Sequence, residues 1–102
     1  MPEPTVRLDL NNPVFQEALF RLEKAEQLAM LSTLRKIPEL TWDQLYRDQG
    51  LKWEAIYSRN GPKGERIYSF RVTKKCRALV YREGEWLRIL TLHPDHDSAY
   101  SG

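Results

Sequence analysis

A chain of 102 residues that is 41% apolar, 11% aromatic and 29% charged has the size of one domain and enough apolar surface for a modest core, which excludes intrinsic disorder and collagen-like fibre. No uncharged apolar run approaches the roughly 20 residues that cross a bilayer, and residues 1–10 lack the hydrophobic stretch of a secretory signal, so neither a membrane span nor an export signal is expected. The net charge of +2 hides an uneven distribution: residues 52–82 hold nine Lys or Arg against only Glu54 and Glu65, a basic block that calls for an anionic partner, with nucleic acid the commonest candidate, unless it is simply a solvated face.

Val6, Leu8 and Leu10 alternate with Arg7 and Asp9 as in a half-buried strand. Asn12 followed by Pro13 is a helix start, because Asn caps free N–H groups and Pro in the first turn loses no hydrogen bond. Phe15, Ala18, Leu19, Leu22, Ala25 and Ala29 then recur at three- and four-residue steps, predicting one long amphipathic helix that stops by Ile37, since Pro38 disfavours helical geometry before it. Thr41 and Gln44 form a capping box, with Leu40 and Leu45 in hydrophobic-staple positions, so a shorter helix starts there and stops at Gly50. Beyond Gly50 the period becomes two. Trp53, Ala55 and Tyr57 share one side, residues 60–64 form a loop, and strand-like runs follow over 67–72, 76–81 and 86–92. The expectation is a single α+β domain over residues 1–102: an N-terminal strand, two helices, then a C-terminal antiparallel β-meander, with the helices packed on one face of the sheet.

A three-residue loop over 73–75 sets Val72 opposite Cys76, Arg71 opposite Arg77 and Phe70 opposite Ala78. Tyr68, Phe70, Val72, Cys76, Ala78 and Val80 then form an apolar side against the long helix, and Cys76 reads as a core residue. The lone cysteine has no disulfide partner, which fits a reducing cytoplasm. Arg71 and Arg77 share the other side, where like charges directly opposite destabilise the pair by a few tenths to about 1 kcal/mol. An external anion or an internal carboxylate, from Glu54, Asp95 or Asp97, must answer them. A four-residue loop over 82–85 would set Tyr81 opposite Trp86, Leu79 opposite Arg88 and Arg77 opposite Leu90, bringing Arg88, Leu90 and Leu92 onto the arginine face. Tyr81 and Trp86 then serve either as base-stacking rings or as hairpin-end packing.

Residues 93–100, His-Pro-Asp-His-Asp-Ser-Ala-Tyr, are the densest collection of polar functional groups. His93 and His96 suit general acid–base work. The alternative is an Asp-rich turn with His93 on the core side. No matching ligand cluster elsewhere supports a metal, and Ser98 lacks a nucleophile-elbow context.

Tyr68-Ser69-Phe70-Arg71-Val72, Cys76-Arg77-Ala78-Leu79 and the segment from His93 to Tyr100, preceded by Gly50-Leu51-Lys52-Trp53-Glu54-Ala55-Ile56, together resemble the RelE/ParE superfamily of toxin–antitoxin toxins, above all its HigB-like and RelE-like branches. The second arginine six residues after the first keeps that superfamily's spacing. The resemblance implies a cytoplasmic toxin that enters the ribosome and cleaves messenger RNA without a metal or other cofactor, inhibiting translation until a cognate antitoxin neutralises it. On that likeness Arg71 and Arg77 hold the scissile phosphate. His93, His96 and Tyr100 supply proton transfer and base stacking, and Lys52, Arg66, Lys74 and Lys75, with Arg88 from the register, contact RNA. The terminus and the basic turn at Lys74 and Lys75 depart from the usual pattern. The other readings are a ParE-like inhibitor of DNA gyrase and a non-catalytic RNA- or protein-binding member.

Overall fold

The computed structural model describes residues 3–94. Helix α1 (Pro13–Arg21) starts as the sequence requires: the Asn12 side chain accepts from the Val14 N–H at 2.9 Å, and Pro13 occupies the first turn. It does not run on to Ile37. Leu22 and Glu23 take extended backbone angles, and helix α2 (Lys24–Lys36) begins afresh. Neither glycine nor proline marks this break. Instead the Gln27 side-chain amide donates to the Leu19 and Phe20 carbonyls at 3.1 and 3.4 Å, adding to the Leu22 N–H bond that Leu19 already accepts at the end of α1. The restart resets the helical phase, so Met30 and Leu34 are the buried residues of α2, whereas Ala25, which an uninterrupted stripe would bury, is exposed.

A 3-10 turn over Ile37–Glu39, built around Pro38, leads to helix α3 (Trp42–Arg47). Its capping box is present as expected. The Thr41 hydroxyl accepts from the Gln44 N–H at 3.2 Å, and the Gln44 side chain accepts from the Thr41 N–H at 3.0 Å. The helix ends at Arg47, short of Gly50, because Asp48 makes the stop. The Asp48 carboxylate ion-pairs with Lys36 at 2.8 Å and accepts from the Leu51 N–H at 3.0 Å. The lysine, more than any other contact, holds this carboxyl below its ordinary range.

Five strands, β1 (Arg7–Asp9), β2 (Glu54–Asn60), β3 (Arg66–Arg71), β4 (Arg77–Glu83) and β5 (Trp86–His93), form one sheet in the order β1-β5-β4-β3-β2. From β2 to β5 it is the antiparallel meander that the alternation predicts. Strand β1 joins the far side parallel to β5, with Leu8 level with Leu87, which makes the sheet mixed. Phe15, Met30, Leu34 and Leu45 from the helices bury against Phe70, Cys76, Ala78, Val80 and Leu87 on one sheet face, so the opposite face is left for other work. A row of rings extends the core beside α3: Trp53 stacks on Tyr68 with centroids 4.8 Å apart, and the Arg82 guanidinium lies 4.3 Å over Trp42 while donating to the Tyr46 hydroxyl at 2.7 Å.

Because the Thr41 hydroxyl satisfies an otherwise open N–H of α3, Thr41→Ala should lower the unfolding free energy by about 1 kcal/mol. A urea titration reads this as an earlier midpoint at unchanged slope, and an unmoved midpoint would show the cap to be inert.

Candidate functional site

The β3–β4 turn fixes the first two residues of the site. The Val72 N–H donates to the Cys76 carbonyl at 2.9 Å, and the Thr73 hydroxyl accepts from the N–H groups of Lys75 and Cys76 at 3.3 and 3.0 Å. This three-residue connection sets Arg71 directly opposite Arg77 and Phe70 opposite Ala78, the register read from the sequence. Arg71 is half-buried and Arg77 is 6% exposed. Arg77 Nη1 donates to the Lys52 carbonyl at 3.5 Å. Lys52 itself has φ 46°, a left-handed conformation that disfavours an L side chain by about 1–2 kcal/mol.

The β4–β5 connection differs from its expected form. Gly84 (φ 62°) and Glu85 alone make the turn, a two-residue hairpin that uses glycine for its positive angle, so Tyr81 faces Arg88 and Glu83 faces Trp86. Farther along, Val80 pairs with Ile89 but Leu79 pairs with Thr91, leaving Leu90 as an extra residue in β5. The bulge reverses the alternation. Leu92 turns into the helix-side core, and His93 comes opposite Arg77. The pairings Tyr81–Trp86, Leu79–Arg88 and Arg77–Leu90 are thereby corrected, as is the placement of Leu92 on the arginine face. Arg88 stands at the other end of the sheet, ion-paired with Asp9 and, at 2.7 Å, with Glu83; its charge is answered within the molecule. Trp86 lies 5.9 Å from the guanidinium groups of both Arg7 and Arg88, which is hairpin-end packing.

A second irregularity lies in β2, where Ile56 pairs with Ile67 but Asn60 already pairs with Arg66. Simple alternation would put Arg59 on the side of Trp53, Ala55 and Tyr57. The irregularity carries it across instead, so that Arg59 Nη2 lies 3.5 Å from His93 Nε2. Three neighbouring strands therefore contribute Arg71, Arg77 and His93 at one level, and β2 adds Arg59. Ile56, Ile67 and Leu79 form a small buried cluster on this face, with Tyr81 and Leu90 packed against it. Burial lowers the His93 pKa below the usual histidine value, and the Arg59 charge lowers it further. The imidazole is thus neutral at neutral pH, in an apolar-floored, cationic setting suited to binding a phosphodiester and moving a proton.

Lys52, Arg66, Lys74 and Lys75 are exposed, with the Arg66 guanidinium 4.6 Å over the Tyr57 ring. His96 and Tyr100 lie outside the described residues. Cys76 is fully buried, and burial first, then Glu26, pushes its thiol up to about 12, a core role rather than a nucleophilic one. Arg59 is the site residue that strand periodicity misses. Its only signal in the sequence is membership of the basic block.

Against known proteins, no protein-family model and no curated protein matches the chain. Solved structures do. The archaeal RelE-RelB complex from Pyrococcus horikoshii aligns with 88% of this chain and 94% of its own at a TM-score of 0.60 and 18% identity. The chain has the RelE-like fold. A copper-bound mutant toxin from Helicobacter pylori aligns with 92% of this chain and 96% of its own at a TM-score of 0.49 and 15% identity. The RelE-like arrangement here is strand, helices and sheet, the α+β order expected from the sequence, and no helix among its described residues is long and apolar enough to cross a membrane.

Within this RelE-like sheet His93 binds its proton less readily than it would in the unfolded chain, so the unfolded state takes up more protons between the lowered native pKa and 6.5. Stability should rise with pH through that window, and the gain should be lost as pH falls through the native pKa. Urea midpoints measured from about pH 5 to about 7.5 should follow this trend, and His93→Gln should flatten it; an identical profile in the variant would remove His93 as its source.

Proposed function

We propose that this chain is the toxin of a toxin–antitoxin pair and acts as a metal-independent endoribonuclease on messenger RNA in the ribosome. The observation that carries the reading is the level shared by Arg71, Arg77 and His93, with Arg59 beside them. In this reading the RNA 2′-hydroxyl attacks the adjacent phosphorus, its proton passes to His93, and the 5′ oxygen departs. Arg71 and Arg77 answer the charge that accumulates on the phosphoryl oxygens as the new P–O bond forms and the old one breaks. Lys52, Arg66, Lys74 and Lys75 hold neighbouring phosphates. Arg88, already answered by Asp9 and Glu83, is not part of this RNA surface. His96 and Tyr100 keep their candidate roles in proton transfer and stacking.

The likeness to a RelE-RelB complex supports a protein antitoxin as the partner. So does the outer surface of the helices, where Phe20, Leu28 and Leu31 are 76%, 55% and 54% exposed and a shallow groove of about 160 Å³ lies among Leu19, Phe20, Gln27 and Leu31. Exposed apolar surface of that kind is covered in a stable complex.

Primer extension on a reporter message in a translating extract tests the reading. Cuts within codons are expected, and Arg71→Ala and Arg77→Ala, each with unchanged circular dichroism, should lower cleavage at least about tenfold. An intact message, or full cleavage by both variants, defeats the reading; halted replication with the message intact would instead identify a gyrase inhibitor. For a single-stranded RNA, replacing Lys74 and Lys75 together by Ala should reduce the slope of log affinity against log salt by about 1.4, the loss of two phosphate contacts. An unchanged slope would take the turn out of the RNA surface.

A further inference from the structure

Arginine carries N–H donors and no acceptor, so the nitrogen it meets at hydrogen-bond distance must offer a lone pair. At His93 that nitrogen is Nε2, 3.5 Å from Arg59 Nη2. A neutral imidazole with its lone pair on Nε2 keeps its single proton on Nδ1. We propose that Arg59 is a positioning residue for His93: it holds the imidazole with its proton on Nδ1 and masks the Nε2 lone pair until a phosphate oxyanion draws the guanidinium away.

Among the described residues, the charged groups of this face are Arg59 and Glu54 from β2, Arg71 from β3 and Arg77 from β4, with Glu83, Arg88 and Asp9 grouped at its far end. Burial is the larger cause of the lowered His93 pKa, and among the described residues Arg59 is the one whose charge acts in the same direction. A guanidinium binds a phosphate through two parallel charge-assisted hydrogen bonds, a stronger partnership than one contact to a neutral ring nitrogen. An arriving phosphate therefore competes for Arg59, exposes Nε2, and adds a negative charge that favours a protonated imidazole. The same event that fills the site turns a masked, weakly basic ring into a usable base. The work of that base, unlike its masking, rests on the proposed ribonuclease reading: the 2′-hydroxyl O–H bond breaks as its proton joins Nε2, and the oxygen pair forms the new bond to phosphorus. The 5′ oxygen leaves with the electrons of the broken P–O bond and takes a proton from solvent.

The test is made on the protein alone. The chain has two histidines, so a His96→Gln background leaves one imidazole, whose two ring nitrogens are followed by 15N NMR across a pH titration. The expected spectrum shows the proton on Nδ1 and a midpoint below 6.5. Adding Arg59→Ala should raise the midpoint and redistribute the neutral proton between the two nitrogens. Arg59→Lys, which keeps a charge and a donor, should retain the low midpoint. Inorganic phosphate should raise the midpoint more with Arg59 present than with Ala in its place. An Arg59→Ala spectrum with the proton still confined to Nδ1 overturns the proposal, and so does an equal phosphate response in both proteins. Because no RNA or ribosome enters the measurement, failure of message cleavage leaves the Arg59–His93 assignment standing, and failure of the spectrum leaves the cleavage reading untouched.

Discussion

A β-strand alternates its side chains strictly, so one extra residue on one strand reverses the facing of everything beyond it. In this molecule that extra residue is Leu90. Up to Ile89 the odd-numbered residues of β5 point at the helices; beyond the bulge Leu92 takes the core position and His93 emerges opposite Arg77. An unbulged β5 would bury an imidazole in the layer that Phe15, Met30 and Phe70 fill, where a polar ring needs hydrogen-bond partners or destabilises the core. The irregularity solves a packing problem and assembles the candidate site in the same stroke, which fits the general finding that bulges gather where a side chain must be re-aimed.

The two ends of the sheet treat arginine differently. Arg88 lies beside Asp9 on the neighbouring parallel strand and within reach of Glu83, so its charge is locally compensated and serves to fasten β1 to β5. At the other end, no carboxylate ion pair joins Arg59 or Arg71 among the described residues. Positive potential accumulates there, on a floor of Ile56, Ile67 and Leu79 that limits dielectric screening. The strained Lys52 is part of the same arrangement, since its carbonyl is what Arg77 meets.

Legibility in the sequence follows the strength of local constraint. The β3–β4 register is readable because residues 73–75 allow one tight connection and the flanking residues alternate cleanly, and the Thr41–Gln44 box is readable because both partners lie within one helical turn. Two helices where one is expected reflect a cap made at a distance: Gln27 reaches back eight residues to Leu19, and nothing in the periodicity from Phe15 to Ala29 announces it. The β4–β5 turn escapes the sequence pattern because residues 82–85 accommodate either two or four loop residues, and the positive φ of Gly84 decides between them. The bulges in β2 and β5 leave no compositional mark at all. They are set by cross-strand packing, so the Arg71–Arg77 pair is foreseeable, but the arrival of His93 and Arg59 beside it is not.

The parallel pairing of β1 with β5 joins residues as far apart in the chain as Asp9 and Arg88, 79 positions. Such a long closure is entropically slow to reach and belongs late in the order of events. During synthesis the first strand must wait, edge exposed, until the final strand has left the exit tunnel. Since β5 also delivers His93, the level shared by Arg71, Arg77 and His93 forms only once that strand has paired with β4.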